Sequence, residues 1–160
     1  MKVVAVEVLQ CEGGWRNLNF VKVQTDEGIS GWAECNCKWT HQIIRAAIEY
    51  AGSLVIGRDP FETERIQLDL YAATVRQVGG AAHQGISAID AALLDIKGKA
   101  LGVPVYDLLG GLVNPKIRTY YTHCGRAKPF HPDVPPVHSN ADVPTCRRVR
   151  RISSRSVFGM

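Results

Sequence analysis

The sequence predicts an α+β fold, in which a three-stranded antiparallel meander is followed by three helices packed on one face of the sheet. Three observations carry this prediction. Val-rich runs separated by glycine-containing turns occupy the chain up to Glu34. From Ile44 onward, apolar residues recur at helical spacing until Gly102. Hydrophobic residues make up 46% and charged residues 21% of the 160, a globular composition that excludes collagenous and coiled-coil chains.

The elements follow in order. Lys2–Gln10 and Leu18–Thr25 are rich in Val and Leu and read as strands. Between them, Glu12-Gly13-Gly14-Trp15-Arg16-Asn17 reads as a loop. Asp26-Glu27-Gly28 is a hairpin turn into a third strand, Ile29–Glu34. After Trp39, the residues Ile44, Ala47, Ile48, Ala51 and Val55 form one helical stripe, which Gly57 ends. Asp59-Pro60-Phe61-Glu62 has the start signals of a second helix, with Asp59 as cap, Pro60 in the first turn and Glu62 closing a capping box. Ile66, Leu70 and Ala73 would be its buried face, and Gly79-Gly80 its break. A third helix buries Ile86, Ile89, Leu93, Ile96 and Ala100 and stops at Gly102 and Pro104. Lys116–Thr122 is a further strand candidate.

Charge divides the chain. Residues 1–125 hold 12 Lys/Arg against 13 Asp/Glu, net −1, whereas residues 126–160 hold 7 against 2, net +5. The latter segment also carries Pro129, Pro132, Pro135, Pro136 and Pro144 and lacks apolar periodicity, as expected of disorder. The organisation read from this is a domain over residues 1–112, a linker with one strand over 113–125, and a basic Pro-rich tail over 126–160. No apolar run approaches the roughly 20 residues needed to cross a bilayer. The N-terminal apolar run stops at Glu7, too soon for an export signal, so a cytoplasmic location is expected. The five cysteines, Cys11, Cys35, Cys37, Cys124 and Cys146, are then expected to be reduced thiols.

The third helix and its exit carry a long string, from Gly85-Ile86-Ser87-Ala88-Ile89-Asp90-Ala91-Ala92-Leu93-Leu94-Asp95-Ile96-Lys97-Gly98-Lys99 through Ala100-Leu101-Gly102-Val103-Pro104-Val105-Tyr106-Asp107-Leu108-Leu109-Gly110-Gly111. This closely resembles the N-terminal signature of the mandelate racemase/muconate lactonizing enzyme family of the enolase superfamily. Asp26-Glu27-Gly28-Ile29-Ser30-Gly31-Trp32-Ala33-Glu34 and Gly57-Arg58-Asp59-Pro60 resemble the same family's other markers, in the same order. The resemblance covers about residues 1–122.

It implies an α+β capping domain, then a modified TIM barrel, then a C-terminal segment that returns to the cap. It also implies removal of the proton α to a carboxylate, with magnesium stabilising the enediolate. Acid-sugar dehydration of the galactonate type is the expected reaction, with a small sugar-acid carboxylate as substrate and a homo-oligomer as the assembly. A (β/α)8 barrel takes about 250 residues, far more than follow Pro115, so only a first barrel strand, Lys116–Thr122, is expected in this chain. No position matches the family's metal ligands or catalytic base, so no catalytic residue, metal site or cofactor is assigned to this chain, and inactivity on its own is expected. A frameshifted, truncated or misjoined reading frame would account for the tail.

By the same resemblance, the loop between the first two strands helps choose the substrate. There Arg16 would pair with a carboxylate or hydroxyl, and Trp15 would wall off water. Lys97-Gly98-Lys99 has the Lys-x-Lys form of the family's base motif but sits at a helix end, where residues i and i+2 diverge, so it is read as solvated charge favourable to the helix dipole. Cys35, Cys37 and His41 fall short of the four ligands of a structural zinc site. His83 is read as facing substrate or solvent, and His123, His131 and His138 are too irregularly spaced for a metal. Two non-enzymatic readings stand beside the enzyme. One is an oligomerisation module. The other is nucleic-acid binding through Arg147-Arg148-Val149-Arg150-Arg151, disfavoured because no aromatics interleave with that run.

Overall fold

The computed structural model describes residues 1–12, 17–35, 41–77, 79–118 and 146–153. Strands β1 (Val3–Glu12), β2 (Asn17–Thr25) and β3 (Ser30–Glu34) form the expected antiparallel meander. The β2–β3 turn is closed by the Gly28 N–H donating to the Thr25 carbonyl and the Thr25 N–H donating to the Ile29 carbonyl. A residue offset near Val4 in the β1–β2 register puts Val3, Val6 and Val8 on the core side with Val21 and Val23.

Helices α1 (His41–Val55), α2 (Thr63–Thr74) and α3 (Gly80–Leu101) follow, with a 3-10 turn over Val75–Gln77. The predicted stripes are the ones that pack. Ile44, Ile48, Ala51 and Val55 from α1 meet Ile66 and Leu70 from α2 and Ile86, Ile89, Leu93 and Ile96 from α3, all buried against the valines of the sheet. Each fully buried Ile or Leu contributes about 1.5–3 kcal/mol.

The approach of α3 to the sheet depends on one residue. A Cβ added at Gly31 would lie 2.0 Å from the Ala92 carbonyl oxygen and 2.7 Å from Ile96 Cγ1, so β3 lies directly on the helix backbone. Side chains of α3 then hold the outer edge of β3. Asp95 accepts from the Trp32 N–H at 2.8 Å, and Lys99 donates to the Ser30 carbonyl at 2.8 Å and to Asp95 itself. Gly102 ends α3 in the left-handed conformation (φ +69°), its N–H donating to the Lys99 carbonyl.

Several expectations need correction. The second helix begins at Thr63 with no side-chain cap. The Asp59 carboxylate accepts from the Phe61 N–H, forming a local turn that comes before the helix. Ala73 is exposed, while Thr63 and Thr74 share the buried face with Ile66 and Leu70. Pro104 does stop α3 but also opens a short helix that the periodicity missed, α4 (Val105–Leu108). Of the barrel-strand candidate, Lys116–Arg118 carries no strand pairing, and residues 119–122 lie outside the described residues.

The largest correction falls in the tail. Cys146–Ser153 forms β4, antiparallel to β1, giving a four-stranded sheet of order β3-β2-β1-β4. The outer edge of β1 offers a row of backbone donors and acceptors that can pair regardless of side-chain type, which is why an arginine-rich segment without apolar alternation can become a strand. The remainder of the tail lies outside the described residues. Cys11 is disulfide-bonded, correcting the reading of all five cysteines as reduced; Cys35 is buried and takes no part in a disulfide.

Candidate functional site

The most concentrated chemistry lies where β1 ends, β2 begins and β3 ends. Gln10 Nε2 donates to Asn19 Oδ1 at 2.9 Å across β1 and β2, and the Asn19 carbonyl accepts from the Cys35 N–H at 2.8 Å. This backbone bond continues the ladder one residue past β3 and directs Cys35 into the protein, where it is 4% exposed. Its Sγ donates to the Gln84 carbonyl near the start of α3, at 3.5 Å. Glu34, Cys35, His83, Gln84, Ser87 and Ala88 together line an open pocket of about 250 Å³.

Helical spacing explains the α3 side of the pocket. His83 and Ser87, and likewise Gln84 and Ala88, are four residues apart and so share a face. Ser87 Oγ donates back to the His83 carbonyl at 2.9 Å. Tyr71 of α2 meets the His83 ring edge-on, with centroids 6.2 Å apart and planes at 90°. A carboxylate, an imidazole, a hydroxyl and an amide thus surround a small opening, a set suited to holding hydroxyl and carboxylate groups by hydrogen bonds.

Among the described residues, no group of three His, Cys, Asp or Glu could hold a metal ion. The shifted carboxylates are structural. Burial foremost, and then the charge of Glu64, raises Asp90 above the ordinary carboxylate range. The hydrogen bond from Arg58 lowers Asp69 against a smaller desolvation effect, with Arg65 assisting.

The structure separates the sequence candidates. Trp15 and Arg16 lie outside the described residues, as do Cys37, His123, His131 and His138; Glu12 and Asn17, which bracket the first pair, are partners in the β1–β2 register. Cys35 and His83 come together at the pocket. Lys97 reaches the Phe61 carbonyl at 3.5 Å and lies over the Phe61 ring at 5.7 Å, whereas Lys99 turns to Ser30 and Asp95. The two ends of that Lys-x-Lys therefore serve different contacts. Sequence reasoning missed Glu34, Gln84 and Ser87. The four-residue spacing about His83 was the available signal, but it only becomes legible once the start of α3 is known. No helix among the described residues is long and apolar enough to cross a membrane.

Comparison with known proteins places this geometry. The model of the mandelate racemase/muconate lactonizing enzyme N-terminal domain matches residues 13–110. A D-galactonate dehydratase of Xanthomonas axonopodis pv. citri is 41% identical over 120 residues, which are 75% of this chain and 31% of that protein. A Burkholderia xenovorans protein described as an L-alanine-DL-glutamate epimerase, solved with magnesium and fumarate, is 43% identical. The match has a TM-score of 0.76 and covers 82% of this chain and 33% of that one. An Agrobacterium radiobacter enolase described as a galactarate dehydratase, with sodium and L-malate bound, is 31% identical at a TM-score of 0.68, over 71% of this chain and 29% of its own. The chain spans about a third of the length of these relatives. With the meander, the three helices and the family signature all in register, the chain belongs to the mandelate racemase/muconate lactonizing enzyme family of the enolase superfamily, of which it carries the N-terminal capping domain.

Proposed function

We propose that this chain supplies the cap of an acid-sugar dehydratase. Such an enzyme removes the proton α to a sugar-acid carboxylate and expels the neighbouring β-hydroxyl as water. The observation that carries this reading is the 41% identity to a D-galactonate dehydratase across the cap. Magnesium would take up charge developing on the carboxylate. The described residues offer no site for it, and no step is derived through it.

What this chain's own residues do is bind and exclude water. Glu34, His83, Gln84 and Ser87 offer hydrogen-bonding groups to a polyhydroxylated acid. Arg16 pairs with its carboxylate or a hydroxyl, and Trp15 shields it from water. The proton chemistry is assigned to the barrel on which such a cap packs, so residues 1–112 on their own are expected to be inactive. A cytoplasmic homo-oligomer acting on a small hydroxy-carboxylate completes the reading.

A chimera tests it: residues 1–112 replace the matching cap of the Xanthomonas axonopodis enzyme. The chimera is expected to dehydrate D-galactonate, with Arg16→Ala lowering kcat/KM roughly tenfold or more. A folded chimera that epimerises L-Ala-DL-Glu and leaves D-galactonate untouched would overturn the substrate class. Magnesium-dependent dehydration by the unfused chain would overturn the division of labour. The oligomerisation-module reading draws on the exposed apolar run after α3, and co-purification with a full-length relative, without any effect on its turnover, would favour it.

A further inference from the structure

We propose that the outer face of α2 is a self-association surface, on which α2 of a second copy of this chain packs antiparallel about a two-fold axis. Helix α2 is apolar on two opposite sides. Ile66, Leu70 and Thr74 are buried, whereas Leu68, Tyr71, Ala72 and Val75 recur at i, i+3, i+4 and i+7 on the exposed side of the helix and its 3-10 extension. The three large ones are between 44% and 64% exposed. A surface helix needs one apolar stripe, on the side that it buries. A second stripe of the same period calls for a second cover.

Charge identifies that cover. Arg65 and Asp69 pair with each other, and Asp69 also pairs with Arg58. Glu64 lies four residues before Leu68 and Arg76 four after Ala72, so they bound the outer stripe at its two ends. Both are exposed, and neither enters an ion pair among the described residues. Burial first, and then the charge of Glu64, raises the Asp90 carboxyl, so acid gathers at the N-terminal end of the stripe while the C-terminal end is basic. At 1.5 Å per residue the two ends stand about 18 Å apart. Parallel copies would set acid on acid and arginine on arginine. Antiparallel copies set Glu64 of each against Arg76 of the other, with Leu68 of each near Ala72 of the other and the two Tyr71 rings near the axis. Such a contact is self-complementary and closes at two copies. Helix α1 also exposes Ile43, Tyr50 and Leu54, but its Arg45 and Glu49 pair with each other and nothing there selects a partner.

The stripe is short. One helix face of this length falls below the roughly 800 Å² per partner of a standard interface, so the association is a weak equilibrium that salt loosens. It supplies a contact for the homo-oligomer proposed above and rests on that part of the reading alone. Because Tyr71 also meets the His83 ring, the contact borders the pocket.

Sedimentation velocity of the full 160-residue chain across a concentration series tests the proposal. The unmutated chain is expected to pass from monomer to dimer. Leu68→Asp should weaken the dimer about a hundredfold, and Glu64→Arg or Arg76→Glu about tenfold each, since each turns two attractive contacts into repulsive ones. An equimolar mixture of the Glu64→Arg and Arg76→Glu chains restores both contacts and should dimerise about as tightly as the unmutated chain. A chain that stays monomeric up to about 1 mM overturns the proposal, because another partner then covers the stripe. So does a mixture no tighter than its components, or a dimer lost on Val113→Asp but indifferent to the α2 changes. If a variant fails to fold, the unmutated chain still decides, since a dimer that does not weaken between about 0.05 and 0.5 M salt is not held by these charges. All these readouts concern assembly, so they can fail while the dehydratase chimera succeeds, and the reverse.

Discussion

Two apolar stretches of this chain meet opposite fates. Along α3, Ile86, Ile89, Leu93 and Ile96 are between 0% and 4% exposed. Immediately after it, Leu109, Leu112, Val113 and Ile117 are between 58% and 94% exposed. Hydrophobicity does not separate them; partnership does. The first stretch returns every 3–4 residues to a face that the sheet and α1 cover. The second runs on past a short helix with nothing of the described domain over it. The cap is thus a complete core joined to a connector whose large apolar side chains stand exposed close together along the chain.

The strongest way to break the contrast is at the contact that completes the core. Gly31→Ala forces a methyl into the Ala92 carbonyl of α3, a backbone group that cannot swing aside, and is expected to cost about 4 kcal/mol or more. Thermal denaturation should show loss of the cooperative transition or a large drop in Tm. The next test sharpens the contrast within one chemistry. Ile89→Ala, at 0% exposure, should lose about 2–5 kcal/mol in urea unfolding. Val113→Ala, at 94%, should stay within about 0.5 kcal/mol; a Val113 variant as damaging as Ile89→Ala would mean that the connector is covered in solution.

A smaller effect is expected where the two stretches join. Gly102→Ala must hold a side chain at φ +69° and should cost about 1 kcal/mol. The smallest are electrostatic and opposite in sign. Asp90, with its pKa raised above 3.8 in the fold, binds its proton more readily folded than unfolded, so it lowers stability as pH rises from 3.8 through the raised value. Asp90→Asn should therefore stabilise at neutral pH, by a few tenths of a kcal/mol after allowance for solvent screening, and the gain should vanish at the acid end of that window. Asp69, with its pKa lowered by Arg58, contributes stability above pH 3.8 that is lost as pH falls through the lowered value. Asp69→Asn should reduce stability at neutral pH and match the unmutated chain in acid.

Much of this contrast was legible before any coordinates. The period-2 runs, the stripe from Ile44 to Val55 and the Ile86–Ile96 series each state a face, and burial followed the stated face. Where reading failed, a local competitor or a distant partner was responsible. Asp59 looked like a helix cap, but its carboxylate takes the Phe61 N–H two residues on, a choice that composition cannot reveal. Ala73 and Thr74 are adjacent on α2, and only the position of α3 decides that the threonine, bonded back to the Leu70 carbonyl, is the buried one. β4 was illegible because an edge strand is recruited through backbone groups that every residue shares. The pocket residues Glu34, Gln84 and Ser87 come from segments roughly fifty residues apart, and nothing local in either announces the other.

The hold that Asp95 and Lys99 keep on Trp32 and Ser30 also bears on how copies of this chain behave in a crowd. Main-chain groups at one flank of the sheet are already engaged by side chains of α3, and at the opposite flank the last strand carries four arginines. Two rungs of the first border are thus taken up, and a strand added at the second would meet a concentration of positive charge. Clumping by ribbon-to-ribbon growth is thereby discouraged, and among the described residues the greasy connector beyond α3 holds the most exposed large apolar side chain, Val113.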